Sequence, residues 1–267
     1  MKKELITQRS PKSPIAETFR TLRTNLQFMN SQKDLKTILI TSTMPGEGKS
    51  WISSNLAVTF AQAGKKVVLV DADMRKGRLA TMFSVNSTPG LSNYLSGVDE
   101  RGKKIDILKY VTTTEIDNLY IIPSGNVPPN PSELLASEGM INMVEKLKRT
   151  FDILIFDGTP GLIVTDAMIV SRLVDTTIIV ASHNETKKDN LQKVKKGLES
   201  VGASVAGVVI NKMPVNAKKY EDSYYYGNTP NKMYEEKDIF KKKTRQMNKE
   251  EKVLNELNEL FNNRKEQ

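Results

Sequence analysis

A glycine-rich loop that ends in a lysine and a serine is the part of this sequence best suited to chemistry. Residues 41–50 read TSTMPGEGKS, and they follow an apolar run at 37–41 and precede a helix-like stretch at 50–63. Backbone N–H groups of such a loop cradle phosphates, the lysine reaches the outer phosphates and the hydroxyl binds Mg²⁺. The helix N-terminus adds a favourable dipole for an anion. We predict that Mg·nucleotide is bound by Pro45, Gly46, Glu47, Gly48, Lys49, Ser50 and Trp51.

The loop departs from the strict phosphate-loop pattern at one position. That pattern has glycine where this chain has Thr43. An ordinary strand–helix turn is the alternative, and a GKS tripeptide alone would not exclude it. Strand, glycine loop and helix in sequence favour phosphate binding.

Acidic residues follow two further apolar runs. VVLVDADMRKGR places Asp71 and Asp73 just past one run, and FDILIFDGTPG places Asp157 at the end of another. One of two paired carboxylates can act on the metal–phosphate complex while the other accepts a proton, and a Walker-B aspartate holds Mg²⁺. Acidic residues also form plain turns at strand ends. We predict Lys49, Asp71 and Asp73 as catalytic residues, and Ser50, Asp71 and Asp157 as metal ligands.

Asn211 follows the last apolar run, in the stretch VVINKMP. Its amide is suited to read the edge of a base. A guanine-specific loop would need aspartate where this chain has Pro214, so the sequence favours adenine. A turn role for Asn211 stays open.

The apolar runs indicate how these side chains are positioned. They recur at 37–41, 67–71, 119–122, 152–156, 177–181 and 205–210, and helix-like stretches separate most of them. Buried strands that alternate with helices predict an α/β fold with a doubly wound, mostly parallel sheet, where ligands bind beyond the carboxyl ends of the strands. We predict one P-loop NTPase core at 37–212, an N-terminal arm and helix at 1–36, and a flexible tyrosine-rich tail at 213–267.

Composition limits the class of protein and its partners. The 267 residues carry a net charge of +9 and no cysteine. This charge predicts an anionic neighbour such as nucleotide, a membrane surface or an acidic partner. Nucleic acid is not expected, because the lysines are scattered and no aromatic–basic module appears. MKKELITQRSPKS lacks the apolar stretch of a signal peptide, and the apolar runs are too short for a membrane span. The predicted nucleotide chemistry favours a cytoplasmic protein.

Tyrosines crowd into the tail. Five of the eight tyrosines of the chain fall within residues 220–234, a segment that we do not expect to fold. Tyrosine is usually buried or placed at an interface, so exposed tyrosines suggest hydroxyls presented for modification. A docking segment or strand edge is the alternative. The predicted phosphate acceptors are Tyr220, Tyr224, Tyr225, Tyr226 and Tyr234, with 224–226 as the main group.

The first helix predicted from the sequence spans residues 13–31. Its apolar positions are Ile15, Phe19, Leu22, Leu26 and Phe28. Glu17, Arg20 and Arg23 are spaced three apart, which places them along one helix face. Such a face is either a solvated salt-bridge surface or one half of a charge lattice between subunits.

These motifs resemble those of the bacterial P-loop protein-tyrosine kinases, and more narrowly the cytoplasmic kinases of Gram-positive capsular and exopolysaccharide systems. The resemblance covers residues 13–234 and rests on SPIAETFRTLRTNLQF, TSTMPGEGKS, VVLVDADMR, PSGNVPPNPSELL, Asp157 and the tyrosine tail. It implies that Lys49 and Ser50 bind Mg·ATP, that Asp71 and Asp73 form the catalytic Walker-A′ motif, and that Asp157 is in Walker B. Glu17, Arg20 and Arg23 would lie at the subunit interface of a ring.

The resemblance also implies partners. A separate transmembrane activator of the polysaccharide co-polymerase type would recruit the kinase to the inner face of the membrane. Phosphate would pass in trans to the tail of a neighbouring subunit, and other protein substrates are possible. The chain departs from the family pattern in two places. It has Asp157-Gly158-Thr159-Pro160 where the family usually has Asp-Thr/Ser-Pro-Pro. The tyrosine cluster usually ends the family's proteins, whereas here a charged tail continues to Gln267 with a helical apolar pattern at 253–261.

Two other functions compete with a tyrosine kinase. Positioning ATPases of the ParA/MinD kind share the fold, but they carry a lysine five residues before the main loop lysine, where this chain has Met44. A scaffold that only binds nucleotide should have lost Asp71, Asp73 or Asp157, and the sequence retains all three.

Overall fold

The computed structural model describes residues 4–29, 35–97 and 106–214, which fall within one compact unit, Met1–Val215. The predicted acceptor tyrosines and the helical pattern at 253–261 lie outside the described residues. Within the described ranges, no helix is long and apolar enough to cross a membrane.

A twisted sheet of seven strands forms the centre of the described part of the chain. Its order is β3-β4-β2-β5-β1-β6-β7, with every neighbouring pair parallel except β3 and β4. This confirms the predicted doubly wound α/β fold. The sequence prediction lacked β3, which has only two residues. The strands are β1 Thr37–Ser42, β2 Val67–Asp71, β3 Thr112–Thr113, β4 Leu119–Ile122, β5 Ile153–Pro160, β6 Thr176–Ser182 and β7 Val205–Asn211.

Helices cover both faces of the sheet. They are α1 Ile6–Arg9, α2 Pro14–Met29, α3 Lys49–Gln62, α4 Leu79–Phe83, α5 Leu91–Ser96, α6 Pro131–Leu135, α7 Glu138–Thr150, α8 Asp166–Ser171 and α9 Lys188–Ser200, with a 3₁₀ turn at Ile107–Tyr110. Alternate strand residues enter opposite cores: Ile38 and Ile40 pack with α3, while Leu39 packs with α7. Burial on both faces explains why the strands are continuous apolar runs rather than alternating ones.

Helix α3 lies between the sheet and the two N-terminal helices. The backbone N–H and the hydroxyl of Thr7 donate to Asn55 Oδ1 at 3.0 and 2.9 Å. The rings of Phe19 and Trp51 meet edge to face with centroids 5.1 Å apart. Phe28, predicted on the apolar face of the first helix, is instead 73% exposed and lies in the last turn of α2.

Candidate active site

The phosphate loop, residues 43–50, joins β1 to α3. Gly46 and Gly48 have φ angles of +83° and +99°, a left-handed conformation that favours glycine. A Cβ on Gly48 would also overlap Nδ2 of Asn211. Since Gly48 caps α3, the loop aims its free backbone N–H groups and the positive end of the helix dipole into one place. This is the geometry of an anion site.

Glu47 fixes the shape of this loop. Its Oε2 accepts hydrogen bonds from the backbone N–H groups of Thr43 and Met44 at 2.6 and 3.0 Å. Its Oε1 accepts from the Thr43 hydroxyl at 2.7 Å and from the Thr186 hydroxyl. Thr43, where the strict pattern has glycine, is therefore part of a buried network that stiffens the loop. The Glu47 side chain is fully engaged there, which leaves its backbone to face a phosphate.

Asn211, at the end of β7, contacts the backbone of the phosphate loop. Its Nδ2 donates to the Glu47 carbonyl at 2.9 Å, and its own carbonyl accepts from the His183 N–H at 2.9 Å. Asn211 thus ties the end of β7 to the phosphate loop. Base recognition by Asn211 stays a prediction, and the structure adds a positioning role.

Strand register brings two of the predicted carboxylates together. Asp71 of β2 pairs with Asp157 of the parallel strand β5, and both side chains are fully buried. Asp71 Oδ2 accepts from the Leu79 N–H at 3.1 Å, while its Oδ1 has no hydrogen-bond partner. Burial, and then the charge of Asp157, raise the pKa of Asp71 well above its usual value.

Asp157 has even fewer hydrogen-bond partners than Asp71. Neither of its carboxylate oxygens has a hydrogen bond of acceptable geometry among the described residues. Burial raises the pKa of Asp157, and Lys49 and the Ser50 and Ser53 hydroxyls, which face the carboxylate, oppose that shift only in part. An unpaired, buried carboxylate costs free energy, so this pair is maintained for a ligand rather than for stability.

Lys49 is the cation of the site. Its Nζ donates to Asp73 Oδ2 at 2.9 Å, and Asp73 Oδ1 accepts from the Lys76 N–H at 2.9 Å. Burial lowers the pKa of Lys49, but Asp157, Asp73 and Asp71 together raise it above its usual value. The ammonium group therefore stays protonated and sits among the three predicted carboxylates.

The residues present fit a magnesium ion. Mg²⁺ prefers oxygen ligands, the carboxylate of Asp157 faces the Ser50 hydroxyl, and Asp71 with its unpaired Oδ1 is the strand partner of Asp157. Among the described residues, no group of three or more histidine, cysteine, aspartate or glutamate side chains could hold a metal. The chain thus offers part of a coordination shell, as suits a metal that is held jointly by protein and phosphate oxygens.

The stretch Asp157-Gly158-Thr159-Pro160 contains a β-bulge. Ile40 of β1 pairs with Asp157, but two residues later Ser42 pairs with Pro160, so β5 carries one extra residue. A Cβ on Gly158 would lie 2.8 Å from Leu39 Cδ1, so the bulge is placed where glycine fits best. The carbonyl of Thr159 accepts from the β1 residue Thr41. Asp157 lies before this bulge and pairs with Asp71 of β2.

A cavity of about 350 Å³ opens beside the loop and the aspartates. Among the predicted site residues it is lined by Pro45, Gly46, Gly48, Lys49, Ser50, Trp51 and Asp73. Three basic residues also line it, Arg75, Lys76 and Arg78, which the sequence prediction had not assigned.

One of these basic residues is anchored by a network that spans distant parts of the sequence. Arg75 Nε and Nη2 donate to the two oxygens of Asp166 at 2.9 and 3.2 Å. The Ser132 hydroxyl donates to Asp166 Oδ1 at 2.6 Å. Hydrogen bonding to Asp166 raises the pKa of Arg75. PSELL, quoted above from the sequence, supplies Ser132, but its partners are not visible from spacing.

The predicted interface residues lie on α2, away from the cavity. Arg20 Nη1 and Glu17 Oε2 form a half-exposed pair at 2.6 Å within the helix. Arg23 Nη1 instead donates to the Thr59 carbonyl of α3 at 2.6 Å. Arg23 thus anchors α2 to its own subunit, and a role of all three in subunit contact stays a prediction.

Comparison with known proteins defines the class first. Residues 35–206 match the model of a family described as an AAA domain. Together with the phosphate loop on a parallel sheet, this makes the protein a P-loop nucleotide-binding protein of the AAA type. The septum site-determining protein MinD of Pyrococcus horikoshii, with a TM-score of 0.56 and 22% identity, shares the fold.

Closer relatives define the family. Tyrosine-protein kinase YwqD of Bacillus subtilis is 37% identical over 233 residues, which cover 87% of this chain and 95% of that protein. The chimerical protein CapA2B2 has a TM-score of 0.73 at 37% identity, covering 80% of this chain and 92% of that one. The kinase domain of Escherichia coli tyrosine kinase ETK has a TM-score of 0.72 at 32% identity, with 84% of each chain covered. The chain belongs to the bacterial tyrosine-protein kinases.

Proposed function

We propose that this kinase transfers the γ-phosphate of Mg·ATP to the tail tyrosines of a second copy of the chain. The observation that carries the proposal is the Lys49–Asp73 pair together with the buried carboxylates of Asp71 and Asp157, in which three of the four oxygens have no hydrogen-bond partner. The loop accounts for nucleotide binding, and the carboxylates account for metal and proton. The sequence supplies acceptors at Tyr220, Tyr224, Tyr225, Tyr226 and Tyr234.

In this mechanism Lys49 exchanges one anionic partner for another. Without nucleotide its ammonium group is held by Asp73 Oδ2. Bound phosphates compete for that ammonium group, and its departure frees Asp73 Oδ2. Asp73 lines the cavity, so it is accessible to an incoming phenol. It accepts the phenolic proton as the tyrosine oxygen bonds to the γ-phosphorus and the bond from phosphorus to the leaving ADP oxygen breaks.

Asp71, Asp157 and Ser50 would hold Mg²⁺. The bound ion would neutralise charge on the phosphates. Burial of both aspartates keeps water from their oxygens, and the backbone hydrogen bond from Leu79 orients Asp71. Adenine recognition by Asn211, and packing of Trp51 beside the nucleotide, complete the proposed binding site.

Transfer in trans requires subunits to meet, and we assign a ring-forming contact to Glu17, Arg20 and Arg23. The pair of Glu17 and Arg20 is half-exposed, and within one helix such a pair contributes only about 0.2–0.5 kcal/mol. Glu17→Ala with Arg20→Ala should therefore leave the fold intact and reduce the mass measured by light scattering. Arg23→Ala should lower Tm as well, because it removes the bond to α3. An unchanged mass in the double variant would contradict the interface assignment.

The proposed setting is capsular or exopolysaccharide polymerisation and export. The family motifs quoted from the sequence support it, with a separate transmembrane activator of the polysaccharide co-polymerase type that recruits the kinase to the inner face of the membrane. Repeated phosphorylation would load the tail with about −1.5 to −2 charges per tyrosine, which should loosen the oligomer.

Asp73→Asn tests the mechanism. The wild-type protein should acquire phosphotyrosine when incubated with Mg·ATP. The variant should lose about 10²–10⁴ of the transfer rate, because asparagine cannot accept the proton, while it still binds nucleotide. An exposed-site control is Asp189→Asn, which should transfer normally. Normal transfer by Asp73→Asn would contradict the assigned proton acceptor.

A further inference from the structure

The acceptor segment differs in charge from the rest of the chain. Residues 220–236 carry four carboxylates and one lysine, whereas the whole chain has a net charge of +9. The carboxylates form two pairs, residues 221–222 and 235–236. Every one of the five tyrosines lies within four residues of a pair. The predicted acceptors are therefore tyrosines in an acidic context.

A basic rim lines the cavity on the side of the catalytic aspartates. We define it as Arg75, Lys76 and Arg78, in the connection from β2 to α4. Both aspartates at the end of β2 fix this connection, since Asp73 accepts from the Lys76 N–H and Asp71 from the N–H that begins α4. The rim is thus held at a set position relative to the proposed proton acceptor.

Two of the three cations of the rim are available to a partner. The exposed Lys76 side chain makes no ion pair or hydrogen bond with any described residue. Arg78 Nη2 lies 3.5 Å from Glu4 Oε1, and these side chains are 63% and 40% exposed, so this pair contributes little. Arg75 differs, because the buried Asp166 holds it with two hydrogen bonds.

We propose that Lys76 and Arg78 dock the acidic pairs of a second copy's tail, so that this kinase selects tyrosines that lie beside carboxylates. The inference rests on the proposed transfer in trans. An extended chain advances about 3.3 Å per residue, so a tyrosine one to four residues from a docked pair spans about 3–13 Å from it. Complementary charge favours encounter and fixes register more than it adds affinity. Arg75, already paired, keeps the rim in place.

Peptide kinetics test this surface. The enzyme should carry Tyr→Phe at its five tail tyrosines, and the substrate should be a peptide of residues 220–236 with both termini blocked. Replacing the four peptide carboxylates by amides should raise KM for peptide about three- to tenfold and leave KM for ATP unchanged. Lys76→Glu with Arg78→Glu in the enzyme should do the same. Lys193→Glu with Lys196→Glu on α9, both exposed and neither lining the cavity, is the charge-matched control and should have no effect.

A charge exchange gives the sharpest result. The Lys76→Glu, Arg78→Glu enzyme should regain a low KM with a peptide in which lysines replace the four carboxylates. Fluorescence anisotropy of labelled peptide should show the same order of affinities, weakening with salt. An unchanged peptide KM in the enzyme variant, or a raised KM for ATP instead, would overturn the docking surface alone. Absence of phosphotyrosine with the wild-type enzyme would overturn the proposed transfer and the docking with it.

Discussion

Replacing Asp71 by asparagine should stabilise the nucleotide-free protein while it abolishes phosphate transfer. Asp71 Oδ2 accepts from the Leu79 N–H at 3.1 Å, and the oxygen of an asparagine amide retains that bond. An NH₂ group replaces the unpaired Oδ1, and this group can donate a hydrogen bond to Asp157, the residue that pairs with position 71 across β2 and β5. The substitution thus removes one of two buried like charges and supplies a donor to the other.

The size of the effect follows from these contacts. An unsatisfied buried polar group costs about 1–3 kcal/mol. In a domain of about 200 residues, 1 kcal/mol shifts Tm by about 2–4 °C, so Asp71→Asn should melt about 2–12 °C higher than the wild type. Removal of a proposed metal ligand and catalytic carboxylate should lower the transfer rate at least about 10²-fold.

The pH dependence has a defined sign. The folded-state pKa of Asp71 is raised, so ionisation of this carboxylate destabilises the fold progressively as pH rises from the ordinary aspartate pKa, about 3.9, through the raised value. The Tm advantage of Asp71→Asn should therefore be small near pH ~4 and largest at pH ~8.

Differential scanning calorimetry in EDTA, without nucleotide, measures this difference. The matched control is Asp152→Asn, an exposed carboxylate that likewise accepts one backbone N–H, from Lys66 at 2.8 Å. This surface substitution should change the free energy of unfolding by less than about 0.5 kcal/mol, and so change Tm by less than about 2 °C. A lower Tm for Asp71→Asn at pH ~8, or a gain independent of pH, would refute the claim that burial and Asp157 strain this site.

Three other substitutions probe the phosphate loop. Lys49→Met should reduce transfer at least about 10²-fold, because the charge facing the outer phosphates is lost, as measured by phosphotyrosine formation. Glu47→Gln should destabilise the protein by about 1–3 kcal/mol and raise KM for ATP, since one amide oxygen cannot accept all four hydrogen bonds, three from the loop and one from Thr186. The exposed-site control Glu185→Gln should leave KM for ATP unchanged. Gly48→Ala should abolish nucleotide binding, because the added Cβ would overlap the side-chain amide of Asn211. Gly64 is also left-handed but its Cβ would meet open space, so Gly64→Ala should cost only about 1–2 kcal/mol of stability. Equal nucleotide binding by these variants and the wild type would contradict the assigned loop geometry.

The features that the sequence predicted correctly have local signals. Apolar runs predicted the ends of the six parallel strands to within four residues, and those of β2 and β4 without any difference, because parallel strands are buried on both faces. The glycine loop and the position of Asp71 at the end of β2 followed from the same runs, whereas Asp157, predicted at a strand end, lies within β5, which continues to Pro160. Parallel strands meet at one edge, so the sequence also predicted that these carboxylates converge.

Features that depend on distant partners could not be predicted in this way. Glu47 was predicted to bind nucleotide, yet its side chain bonds to Thr186, 139 residues away. Arg75 is held by Asp166, 91 residues away, and although Arg75 ends the quoted motif VVLVDADMR, spacing does not reveal its partner. The bulge at Gly158 appears only when β5 is aligned with β1. Periodicity fixes the face of an element, whereas tertiary packing decides which polar side chains meet.

Transfer between two distinguishable copies tests the central claim most directly. One copy carries Lys49→Met and the native tail; the other has an intact site and Tyr→Phe at its five tail tyrosines. After incubation of the mixture with Mg·ATP, quantitative mass spectrometry should find phosphotyrosine on the Lys49→Met copy, mainly at residues 220–234. Phosphate that is absent from that copy, or that maps mainly outside this segment, would contradict phosphorylation of the tail in trans.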